Sequence, residues 1–151
     1  MSSMSNDDIR DRLIGAWELV TWQSIDEDGS VDYPLGDDAV GELVYDGSAD
    51  RVSAQLVAVD QPRFASDDWQ QASVEERSAA WPNYFGYFGT FTIDEQAATV
   101  THRIASGWFP NLVGTDQVRR FRFEDDDLVL DAHTTWGRVR IVWRKLSGRG
   151  L

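Results

Sequence analysis

The sequence predicts an all-β protein: a closed, up-and-down antiparallel β-barrel of eight or nine strands, with a short N-terminal helix and one inserted helix as a lid. Three observations predict it. Short runs of alternating apolar and polar residues follow one another at roughly the 8–12-residue spacing of a sandwich or barrel. Each run offers one apolar face, as a strand half-buried against a core does. The runs succeed one another in meander order, and closure would remove the exposed edges that an open sheet leaves. A cone-shaped α+β fold is the alternative, but it calls for long N-terminal helices that are not visible.

A brief helix opens the domain. Ser5 or Asn6 can cap it, and Asp7 and Asp8 fall in its first turn, where the helix dipole favours acid. "AWELVTWQSI" then reads as the first strand, and Asp28-Gly29 as a tight turn. A short strand around Val31–Tyr33 precedes runs at 40–46 and 51–59, which are split by a second Asp-Gly turn. "SVEERSAAWPNYF" breaks the β pattern. Ser73 and Glu76 form a capping box, and Val74, Ser78, Trp81 and Phe85 recur at helical spacing until Pro82 ends or kinks the helix. Five more strands follow at 86–94, 98–106, 116–124, 127–133 and 137–145, with the acidic run Glu124–Asp127 as a solvated hairpin turn. Residues 1–5 read as a disordered N-terminus, 6–146 as a single domain and 147–151 as a flexible tail.

Bulk properties narrow the function. Apolar residues make up 42% of 151, enough for a core, and no apolar run approaches a membrane span. Net charge is −12, which disfavours nucleic acid and anionic membrane surfaces as partners. Cysteine is absent and the first twelve residues lack a signal peptide's pattern, so a cytoplasmic location is expected. No metal site, phosphate-cradling loop or serine-nucleophile elbow is present, and no cofactor is expected.

The triplet Gly15-Ala16-Trp17 on the first strand, after a short helix, resembles the lipocalin signature. "LIGAWELVTW", "YPLGDDAVGELVYDGSADRVSAQL", "PRFAS", "YFGTFTID", "VTHRI", "FPNLVGTDQVRRF" and "LVL" resemble, in order, the bacterial lipocalin-like domain family over residues 13–145. The resemblance implies a calycin-type barrel in which Trp17 plugs the closed end, Gly15 lets the chain cross beneath it, and Arg144 from the last strand stacks on the indole. The family has no common reaction; members and similar barrels are associated with natural-product pathways, as binders or cyclases of hydrophobic intermediates.

Alternation selects the candidates for a ligand site. His102 lies with Val100 and Ile104 on an apolar face, as a satisfied core histidine or as a hydrogen-bonding or acid–base group. Arg119 shares a face with Gln117, Phe121 and Phe123, so it either holds a buried carboxylate or binds a ligand oxyanion. Tyr45 and Tyr87 can put hydroxyls inside, and Gln55 has an uncertain face. Trp108 and Asn111 in the loop 107–114, Phe64 in "QPRFAS", and Trp81 and Phe85 of the lid complete the set around the mouth.

Two functions compete. One is a binder of a small hydrophobic or aromatic molecule with a polar head. The other is a cofactor-independent cyclase or isomerase of a polyketide-like intermediate, with His102 and Arg119 polarising a carbonyl. A bare scaffold is a third reading, and the oligomeric state is open, a homodimer included.

Overall fold

Strands that are apolar on one face need both a covered core and paired edges, and this chain obtains both by closing on itself. The structure, a computed structural model, describes residues 6–135 and 137–146. The loose ends expected at 1–5 and 147–151 lie outside the described residues, as do the capping and first-turn side chains expected at Ser5, Asn6 and Asp7. Helix α1 (Asn6–Leu13) leads into β1 (Gly15–Ile25), the two-residue β2 (Val31–Asp32), β3 (Val40–Asp46) and β4 (Arg51–Val57). Helix α2 (Val74–Ala80) follows, then β5 (Tyr84–Asp94), β6 (Thr99–Gly107), β7 (Asp116–Glu124), β8 (Asp127–Thr134) and β9 (Gly137–Lys145). Single 3-10 turns lie at Trp69–Gln71, Trp81–Asn83 and Pro110–Leu112.

β1 and β3 to β9 pair antiparallel in chain order, and β9 returns to pair with β1, closing an eight-stranded barrel; β2 adds a short ninth strand on β1. The runs expected at 40–46, 116–124 and 137–145 match their strands residue for residue, and the others differ by one or two positions. At Gly89 a Cβ would lie 1.8 Å from the carbonyl oxygen of Arg103, so the β5–β6 irregularity there requires glycine.

One end is shut by α1. Ile9 and Leu13 are buried, and Trp17 is 2% exposed beneath them. The carbonyls at the C-terminus of α1 have no partner within the helix and need donors from elsewhere. Lys145 Nζ donates to the carbonyls of Arg12 and Ile14, while Trp17 Nε1 donates to that of Leu13 at 2.9 Å. Lys145 Nζ also sits 4.4 Å from the centre of the Trp17 ring. Gly15 makes the exit at φ +124°, and a Cβ there would meet the lysine's Cε and Nζ at 3.0 Å. Arg144 is therefore not the cation over Trp17. Trp17 pairs in register with Lys145, so those two share a face, while Arg144 pairs with Glu18, points outward and binds Asp127 at 3.5 Å.

The other end is the mouth. The capping box forms: Glu76 N donates to Ser73 Oγ, and Ser73 N to Glu76 Oε1. Pro82 ends the helix in a 3-10 turn, so Phe85 falls on β5 and the expected helical face does not form. Val74 and Trp81 are exposed and α2 buries none of its residues, so it flanks the mouth rather than plugging it. The loop between β2 and β3 supplies Leu35 and Ala39 to the core instead.

Candidate ligand-binding site

Between the sealed end and the mouth the barrel leaves a cavity of about 30 Å³, room for one or two water molecules. β1 contributes Trp22 to its lining, β5 Phe85 and Tyr87, β6 His102, β7 Arg119 and β9 Trp143.

His102 follows from the alternation of β6: Val100, His102 and Ile104 all point inward and are at most 1% exposed. Two tyrosine hydroxyls clamp its ring. Tyr45 Oη lies 2.7 Å from Nε2 and Tyr87 Oη 2.6 Å from Nδ1. Burial, with the Arg119 charge adding to it, pushes the imidazole down to about 3, so it is neutral at physiological pH. Burial likewise holds both tyrosines above the ordinary phenol range, with Tyr87 raising Tyr45 further and Arg119 opposing in each case.

Arg119 is 8% exposed, and among the described residues no carboxylate pairs with it. Its charge is felt at the Tyr87 phenol, and its guanidinium makes one long bond, 3.4 Å, to the Val118 carbonyl. The buried-carboxylate alternative is thus not realised, and the cavity carries a cation without a counter-charge.

The structure brings Tyr87, His102, Arg119 and Phe85 together, with Tyr45 directly behind His102. Phe121 is buried inside the barrel but packs on Phe123 rather than lining the cavity. Gln117 pairs with His102 in register, yet its amide turns to donate to Thr115 Oγ1. Gln55 faces outward and accepts from the Tyr84 hydroxyl, because Ala54 and Leu56 take the inward positions of β4. Phe64 lies in a separate surface groove against α2, and Asn111 is exposed on its 3-10 turn. Trp108 stacks outside the cavity, its ring 5.0 Å from both Phe85 and Trp81, so Phe85 links the cavity to an aromatic surface.

Trp22 and Trp143 line the cavity without having been singled out. Trp143 lies on the inward face with Val139 and Ile141, so parity could have found it. Trp22 could not be found that way. Alternation from Trp17 places it outside, but a register shift between Leu19 and Thr21 reverses the parity and turns it in.

The neutral histidine gives the fold an acid sensitivity of its own. The unfolded chain takes up the His102 proton below about pH 6.5, whereas the folded chain does so only near 3. Stability is therefore complete above pH 6.5 and falls as pH drops through this window, by roughly 1 kcal/mol per pH unit. Carboxylates whose values are lowered, such as Asp131, act at lower pH. Urea unfolding between pH 7 and 5 should show this slope in the native chain and a flatter one in His102→Gln; parallel curves would refute the assignment.

A closed eight-stranded meander, helix-sealed at one end and lined with polar groups inside, defines a lipocalin-type barrel. The chain belongs to the lipocalin-like domain family, whose pattern matches residues 14–145. It is 28% identical to the 4'-hydroxy-3'-methoxypropiophenone carrier protein ppsC of Aspergillus oryzae over 107 residues, covering 63% of this chain and 96% of the relative. A mutant of the fluorescent protein UnaG has a loosely similar structure, with a TM-score of 0.42 and 11% identity over 91% of this chain and 99% of that one. Among the described residues no helix is long and apolar enough to cross a membrane.

Proposed function

We propose that this chain is a carrier of a small aromatic molecule with a polar head, held inside the barrel in the cytoplasm. The observation that carries the reading is the uncompensated Arg119 beside the His102–Tyr87 pair, in a lining otherwise rich in aromatic and aliphatic groups. A buried cation without a partner is costly in a finished core and useful in a site that a ligand completes. The fungal relative named as a carrier of an aryl ketone supports the same ligand class. An aryl ketone exceeds 30 Å³, so it enters by displacing side chains at the mouth, with half-buried Phe85 first in its path.

Cyclase or isomerase chemistry has less support. Proton transfer needs a group able to exchange a proton with substrate, and both His102 nitrogens are already engaged by tyrosines.

The test is thermal denaturation and tryptophan fluorescence with 4'-hydroxy-3'-methoxypropiophenone and related aryl ketones. Ligand at a hundredfold excess over Kd should stabilise the fold by about 2.7 kcal/mol, or roughly 5–10 °C in Tm, with saturable quenching. A panel that leaves both signals unchanged overturns the reading.

A further inference from the structure

The hydrogen-bonding capacity of the cavity is one-sided. Trp22 Nε1 and Trp143 Nε1 are buried donors without an acceptor, and both indoles line the cavity with Arg119. A neutral imidazole carries one N–H and one lone pair, so one clamping tyrosine donates to it and the other accepts from it. Were Nε2 the protonated nitrogen, Tyr45 would be left with a buried hydroxyl proton, and no hydrogen bond offers that proton another acceptor. Were Nδ1 protonated, Tyr45 donates to Nε2, Tyr87 accepts from Nδ1–H, and the Tyr87 proton is released toward the cavity that Tyr87 lines. The second arrangement turns the one hydroxyl proton without a protein acceptor toward the cavity, where a ligand can accept it.

The ionisable groups of this neighbourhood are then Arg119, cationic; His102, neutral; and Tyr45 and Tyr87, neutral. Among the described residues no carboxylate lines the cavity. A neutral phenol entering here would lack a ready acceptor for its own proton, whereas an oxyanion would receive donors on every side and neutralise the guanidinium.

We propose that the barrel binds its ligand as a phenolate, with Arg119 and the Tyr87 hydroxyl donating to the oxyanion and the ligand's proton released to solvent. This rests on the carrier reading above and adds the ionisation state that the site selects. Binding by deprotonation lowers the apparent pKa of the bound phenol by at least about one unit, and one proton is released for each neutral phenol bound.

The experiment uses the full chain and 4-hydroxyacetophenone, whose phenolate absorbs at longer wavelength than its phenol, at one pH unit below the probe's solution pKa. The expected result is a phenolate band growing in step with tryptophan quenching. The 4-methoxy ether, which cannot ionise, should bind at least tenfold more weakly, and Arg119→Met should lose the band while keeping its circular dichroism. Quenching that saturates without a phenolate band, with the ether binding as tightly, overturns the phenolate proposal and leaves the carrier reading standing. If neither probe quenches or shifts Tm, the carrier reading falls, and this proposal with it. Should Arg119→Met fail to fold, the comparison of phenol with ether on the native chain still decides.

Discussion

Trp17→Ala is expected to lower stability by about 3–5 kcal/mol, the usual cost of truncating a large buried aromatic. In a chain of this size that is a fall in Tm of roughly 6–20 °C. The cost has three parts. The indole is 2% exposed, so its removal leaves a cavity under α1. The carbonyl of Leu13 loses the donor that satisfies it. Lys145 loses the ring face on which its ammonium rests, an interaction of about 0.5–2 kcal/mol. Trp17→Phe separates these contributions, since it keeps most of the bulk and deletes the indole N–H. It should cost about 1–3 kcal/mol, the penalty for one buried polar group left unsatisfied. Chemical unfolding of the two variants checks the ordering. A Trp17→Ala loss below about 1 kcal/mol would mean that the tryptophan does not hold α1 on the barrel.

The same corner shows how far sequence reasoning reaches. The strands were legible because most runs keep a period of two over much of their length and several turns are marked by Asp-Gly or acidic residues. The placement of Lys145 was legible in principle. On β9, Val139, Ile141 and Trp143 face inward, so 145 shares their side and 144 does not; the resemblance pointed to the arginine and parity to the lysine. His102 and Arg119 were found by the same parity, because no irregularity interrupts the relevant stretches of β6 and β7. What stayed hidden depends on three-dimensional closure. The register shift in β1 that turns Trp22 inward leaves no mark in composition. The tyrosine clamp brings together residues 45, 87 and 102, from strands that are not all neighbours, at distances that no pattern along one strand encodes. The helical face expected from Val74, Ser78, Trp81 and Phe85 failed for a local reason. Pro82 interrupts the periodicity before Phe85, so a helical face counted across it has no helix to stand on.

Arg119→Met is expected to make the empty protein more stable while impairing its ligand binding. Replacing buried charge by an apolar side chain of similar length is often stabilising, by roughly 1–4 kcal/mol. Here the charge has no carboxylate partner, and its neighbours across the cavity include Leu130 and Ile141, which would pack against the methionine thioether. Tyr87 keeps its bond to His102 in the variant. His102 gains as well: the Arg119 charge adds to burial in holding its pKa down, so its removal lets that value rise and narrows the acid-sensitive window. Binding moves the other way. Loss of a hydrogen bond to a charged group, about 1.5–3 kcal/mol, corresponds to a tenfold to more than hundredfold rise in Kd for a ligand with an oxyanion head. Opposite signs for stability and affinity from one substitution are the mark of a residue retained for its ligand rather than for the fold. A single set of urea titrations and fluorescence titrations on native chain and variant measures both. If Arg119→Met instead destabilises the barrel by several kcal/mol, the guanidinium is structural and the cavity does not await an anion.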